Sequence, residues 1–93
     1  MTKITDEFLR YMRYEKNRSP LTVKAYHDDL LDFETFFTDR DEALTWQTVD
    51  ADIIRDWMEH MMERGNKSAS VNRRLSAVKM LFRFALSRHL VER

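Results

Sequence analysis

An all-α fold, a compact bundle of four helices, is what the 93-residue sequence predicts, and three observations carry that prediction. Gly and Pro occur once each, as Gly65 and Pro20, so long stretches hold nothing that breaks a helix. Apolar side chains recur at alternating steps of three and four, the spacing of one helix face. No stretch alternates apolar and polar residues as a half-buried strand does. A chain of this length has room for one modest core, and residues 1–93 are expected to form a single domain.

The first helix is expected over about Thr5 to Lys16, with Phe8, Tyr11, Met12 and Glu15 at helical spacing and the polar pair Asn17-Arg18 ending it. Ser19-Pro20 opens the second: a hydroxyl cap, then a proline at the first helical position, where its missing N–H would be unbonded anyway. Val23, Tyr26, Leu30, Phe33 and Phe37 form that helix's core-facing stripe. From Thr38 to Val49 the periodicity lapses into Thr, Asp and Arg around Leu44 and Trp46, the composition of a connecting loop with apolar anchors. Asp50 is the expected N-cap of the third helix, with Asp52 on the favourable side of the helix dipole. Ile53, Ile54, Trp57, Met58, Met61 and Met62 make its buried face, and Gly65-Asn66 its left-handed stop. The fourth helix starts with Ser68 or Ser70 as cap and repeats Val71, Leu75, Val78, Phe82, Ala85 and His89. Met12, Met58, Met61 and Met62 fall on these apolar stripes and are expected to pack rather than to form a soft binding surface. Trp46 and Trp57 lack the basic neighbours of a base-stacking platform and are expected in the core.

Composition removes several function classes. With no Cys there is no disulfide framework, thiolate metal site or cysteine nucleophile, which fits a reducing, cytoplasmic setting. No apolar run approaches the roughly 18 residues of a membrane span, and the start lacks the apolar segment of a secretion signal, so no membrane partner is expected. A single Gly leaves no phosphate-cradling loop, and hence no nucleotide cofactor and no small-molecule ligand of that kind. His27, His60 and His89 stand apart from one another and form no constellation with carboxylates at metal-ligand spacing, so no metal is expected.

Lys and Arg total 16 against 16 Asp and Glu, and a net charge of zero at first argues against a nucleic-acid partner. The zero is unevenly built. Residues 1–27 carry six bases and three acids, residues 28–63 two and twelve, residues 64–93 eight and one: nets of +3, −10 and +7. On the fourth helix Asn72, Ser76, Lys79 and Arg83 fall within about 60° of one another, and Arg73 lies roughly opposite the apolar stripe. Arg and Lys can meet guanine edges or phosphates and Asn can meet adenine, while the first turn, with Lys67, Ser68 and Ser70, can present N–H groups to a phosphate. The alternative is that these bases answer the acids of residues 28–63 across the bundle, as exposed salt bridges worth at most about 1 kcal/mol each. Charge alone does not choose between the two.

The segment Ser19-Pro20-Leu21-Thr22-Val23-Lys24-Ala25-Tyr26-His27-Asp28-Asp29-Leu30 resembles the S-x-x-T-x-x-x-Y-x-x-D-L pattern in the N-terminal domain of tyrosine recombinases of the Xer and phage-integrase type. Farther on, Arg73-Arg74-Leu75-Ser76-Ala77-Val78-Lys79-Met80-Leu81-Phe82 is similar to that family's R-x-L-S-A-x-R-x-x-F helix. Order and separation of the two segments fit as well, and the resemblance runs from Phe8 to about His89. It implies a SAM-like core-binding domain, one jaw of a clamp on double-stranded DNA at a recombination half-site, whose second and fourth helices face the major groove. Carried over residue by residue, it implies DNA contact for Ser19, Thr22, Lys24 and Tyr26 on the second helix and for Ser70, Asn72, Arg73, Ser76 and Lys79 on the fourth. Charge and capping add Lys67, Ser68 and Arg83. Lys79 stands where the family usually has Arg, a change that keeps the charge but loses the bidentate fork, which favours phosphate contact over base readout. Tyr26 lies in phase with Leu30, Phe33 and Phe37, so core packing competes with phosphate contact there. Asp29 is expected to cap or pair structurally, and Arg74 either to bond the acidic middle segment or to reach a phosphate round the flank.

By the same resemblance, DNA cleavage belongs to a separate C-terminal domain supplying a tyrosine nucleophile, two Arg, a Lys and His residues. This chain has no H-x-x-R, since His60 to Arg64 and His89 to Arg93 are each one residue too long. The expectation is a non-catalytic fragment of a longer integrase that needs no cofactor and assembles with recombinase subunits of its own kind. The competing expectation is a helical protein-interaction domain whose acidic middle meets a basic partner or another copy of itself.

Overall fold

Four helices form: α1 (Lys3–Arg10), α2 (Pro20–Arg40), α3 (Ala51–Glu63) and α4 (Ser68–Ser87), in a computed structural model that describes residues 2–92. No strand occurs among the described residues, and the all-α expectation stands. Two helix starts match their caps. Ser19 Oγ accepts from the Thr22 N–H at 3.2 Å, and Asp50 Oδ1 accepts from the Ile53 N–H at 3.1 Å, each satisfying a donor that has no partner within its own helix.

The start of α4 departs from expectation. Its N-cap is Lys67, already extended at φ −74° and ψ 156°, with no side-chain capping bond, so Ser68 and Ser70 sit inside the first turn instead of capping it. The preceding reversal sets this. Gly65 at φ +89° and the bonds Gly65 N–H to Met62 O (3.0 Å) and Asn66 N–H to Met61 O (3.1 Å) close α3 as expected, and one extended residue then suffices to start α4. The far end of α4 closes the same way, with His89 as its left-handed residue (φ 58°) and Leu90 N–H bonded to Ala85 O at 2.8 Å. His89 is therefore an exposed cap, not the last position of the apolar stripe.

Two other boundaries shift. A π-helical turn over Tyr11–Glu15 prolongs α1; Lys16 N–H reaches Tyr11 O and Arg18 N–H reaches Met12 O, both at 3.0 Å, around a left-handed Asn17. Glu15 leaves the apolar stripe and pairs with Arg88 at 3.1 Å. At its other end α2 absorbs Thr38 to Arg40, with the Asp41 N–H bonded to Phe37 O at 3.0 Å and the Thr38 hydroxyl donating to the Glu34 carbonyl at 2.7 Å.

The core is aromatic. Trp46, from the α2–α3 connection, stands edge-on to Phe33, Phe37 and Phe82 with ring centroids 5.4, 5.5 and 5.6 Å away, and Trp57 lies 4.7 Å from Phe33. Both Trp residues are buried, as expected, and their N–H groups are satisfied by Glu34 (3.3 Å) and Asp32 (3.0 Å) of α2. Met12 and Met61 are buried with them, whereas Met62 is 60% exposed: it sits one position past the face that Trp57 and Met61 bury.

Candidate nucleic-acid interface

One face of α4 carries Ser68, Asn72, Ser76, Lys79 and Arg83, all exposed. The core-directed arc of the same helix, Val71, Ala77, Val78, Leu81 and Ala85, turns that face outward. Lys67, Lys79 and Arg83 make no ion pair among the described residues. Their charges stay available to an external anion.

Arg73 sits on the flank of this face, at the seam with α2. Its Nη2 donates to Asp29 Oδ1 at 2.9 Å; the Asp29 side chain is 5% exposed and that of Arg73 is 59% exposed. Burial raises the Asp29 pKa above its usual 3.8, against the pull of Arg73 and, more weakly, Arg74. Arg74 forms ion pairs with Asp29 at 3.7 Å and Asp32 at 3.5 Å, with its Nε buried and without a hydrogen bond; of its two expected roles, the pairing with the acidic middle segment is the one in place. Arg64 adds two bonds to Asp32, at 3.3 and 3.1 Å. Among the described residues, Arg64, Arg73 and Arg74 therefore do answer acids of the middle segment across the bundle and Arg88 answers Glu15, whereas the bases on the outer face of α4 make no such pair.

The start of α2 is less uniform. Ser19 and Thr22 are exposed and bonded to each other, Oγ to Oγ1 at 3.0 Å, so the Ser19 hydroxyl already serves the helix start. Lys24 is two residues, or about 200°, from Thr22 and pairs with Asp28 at 3.1 Å, so it is not brought together with Thr22. Bonds from His27 and then Lys24 hold the Asp28 carboxyl below its ordinary pKa. Tyr26 is partly buried and meets the Phe8 ring edge-on at 6.2 Å, the core-packing side of its two expectations. Ser70 is partly buried and about 200° from Asn72, off the exposed face.

Two bases that sequence patterning passed over join the face. Between the α1–α2 turn and the C-terminal half of α4 lies a groove of about 310 Å³, with exposed Lys16, Arg18 and Arg83 at its rim and buried Phe8, Met12 and Phe84 in its floor. The available signal was the run Lys16-Asn17-Arg18 directly before the Ser19 cap. No group of three or more His, Cys or acidic side chains that could hold a metal occurs among the described residues, and no helix is long and apolar enough to cross a membrane.

This arrangement has known relatives. Residues 5–89 match the phage integrase N-terminal SAM-like domain. The chain belongs to that family. It is 33% identical over 91 residues to the tyrosine recombinase XerC of Pelotomaculum thermopropionicum, covering 94% of this chain and 30% of that protein. The tyrosine recombinase XerD of Bradyrhizobium diazoefficiens is 35% identical over 88 residues, covering 95% of this chain and 27% of the relative. With the XerC of Roseiflexus castenholzii the match extends over 100% of this chain and 29% of the relative, at 34% identity. The chain thus spans less than a third of the length of these relatives. No solved structure matches it. As a SAM-like integrase domain, it carries both quoted motifs on the two helices that pack across the seam: the S-x-x-T-x-x-x-Y-x-x-D-L segment on α2 and the R-x-L-S-A segment on α4.

Proposed function

We propose that this domain binds double-stranded DNA as the non-catalytic N-terminal part of a tyrosine recombinase, gripping one face of a recombination half-site while a separate domain cleaves the strand. The outer face of α4, where Asn72, Ser76, Lys79 and Arg83 are exposed and the two cations have no ion pair among the described residues, is the observation that carries this reading. Asn72 and Arg73 are the residues suited to base edges, and Ser68, Ser76, Lys67, Lys79 and Arg83 to phosphates. Ser19 and Thr22, exposed at the start of α2, are suited to phosphates as well, whereas Lys24 is paired with Asp28, Ser70 lies about 200° from Asn72 and Tyr26 packs against Phe8.

Fluorescence anisotropy of a labelled duplex, titrated at several salt concentrations, tests this. Binding should weaken steeply with salt, and Lys79→Ala and Arg83→Ala should each lower the slope of log K against log salt by about 1. Lys24→Ala should leave it unchanged. Salt-independent binding, or none at low salt, would overturn the reading. Assembly with other recombinase subunits belongs to the same proposal. The competing reading, self-association through the acidic middle, finds support in the exposed Asp39, Asp41, Glu42, Glu59 and Glu63; it requires a salt-sensitive dimer in sedimentation without DNA.

A further inference from the structure

We infer that the groove between the α1–α2 turn and α4 is a second phosphate-binding site, in which Lys16, Arg18 and Arg83 hold the sugar–phosphate backbone of duplex DNA beyond the α4 face. The inference rests on the DNA-binding reading above and extends its footprint to Lys16 and Arg18, which lie outside both quoted motifs.

The backbone holds these cations in place. Lys16 N–H is bonded to Tyr11 O and Arg18 N–H to Met12 O, both at 3.0 Å, and the left-handed Asn17 between them turns the chain back toward α4. Lys16 Nζ lies 5.9 Å from the centroid of the Tyr11 ring, so its stem runs along the groove wall. Arg83 closes the rim from α4.

The groove's lining includes no carboxylate, and none of its three cations makes an ion pair among the described residues. The contrast with neighbouring bases is sharp: Arg10 shares its clefts with Asp6, Glu7 and Glu15, and Arg88 is paired with Glu15. Three unpaired cations around an apolar wall fit an anionic strand whose phosphates meet the rim and whose less polar sugars pass along the partly exposed Tyr11 and Met80. Arg83 belongs to both the groove and the α4 face, so one continuous strand can follow them.

The test compares three forms of the chain in the salt titration described above. Lys16→Ala with Arg18→Ala removes two proposed phosphate contacts and should lower the salt slope by about 2. Arg10→Ala with Arg13→Ala removes the same charge from residues that do not line the groove and should leave the slope unchanged. All four side chains are exposed, so circular dichroism and thermal melts should coincide with the parent chain. An unchanged slope for the Lys16/Arg18 variant, with normal binding by the parent, would overturn this inference and leave the DNA-binding reading intact, as would equal losses from both double variants. Failure of the parent chain itself to bind duplex DNA at low salt would overturn the DNA-binding reading first. Capture of an acidic peptide at the groove with no change in DNA binding would also overturn the inference.

Discussion

A carboxyl that is 5% exposed and 2.9 Å from a guanidinium is subject to two opposed influences, and at Asp29 desolvation outweighs the attraction of Arg73 and Arg74. Its folded pKa is raised above 3.8, so in the window between 3.8 and the raised value the native state binds a proton that the unfolded chain releases. The group's contribution to stability therefore grows as pH falls through that window and is lost as pH rises through it. Asp29→Asn removes the titration. In urea melts from about pH 7 down to about pH 4, the stability of the parent relative to Asp29→Asn should shift in the parent's favour as the pH is lowered. A difference that stays flat with pH would mean that Asp29 does not titrate in this window. A structural role for Asp29 was legible in the sequence, as was the exposure of Asn72, Ser76, Lys79 and Arg83, because helical phase alone separates α4's outer face from its core stripe. Which arginine Asp29 would hold was not legible, since Arg73 and Arg74 are adjacent and only the packing of α2 on α4 brings both beside it.

Helix boundaries divide by whether the cap is a local event. Ser19 and Asp50 were readable because capping is settled within four residues, and Gly65 because only glycine takes φ +89° without strain. The α4 start was not, since Ser68 and Ser70 could each cap and the choice of Lys67 depends on where the α3 reversal releases the chain. Urea denaturation separates these cases: Ser19→Ala should cost about 1 kcal/mol, whereas Ser68→Ala should stay within about 0.5 kcal/mol of the parent. Equal losses would restore Ser68 as a cap. The other two left-handed residues, Asn17 and His89, carried weaker sequence signals because each is a side chain other than glycine in that conformation.

For the molecule as a whole, a net charge of zero and a one-sided charge distribution make different predictions about DNA. Five cationic phosphate contacts, from Lys16, Arg18, Lys67, Lys79 and Arg83, imply a salt slope of about −4.5 and roughly a 500-fold loss of affinity between about 50 and 200 mM salt. Anisotropy over that range decides the matter: a slope near zero would mean that the acidic middle, not the basic face, governs the encounter. The sequence by itself determined the helical class, the apolar stripes, two of the helix starts, the α3 stop and the segregation of charge, because each depends on neighbours within a few residues. Only the tertiary structure decided which bases remain unpaired. Arg64, Arg73 and Arg74 are drawn to Asp29 and Asp32 across the bundle, whereas Lys16 and Arg18 are carried to the edge of α4 by a reversal in the chain. Ion pairing acts over a few ångströms in space, and the pairs that matter join residues more than thirty positions apart.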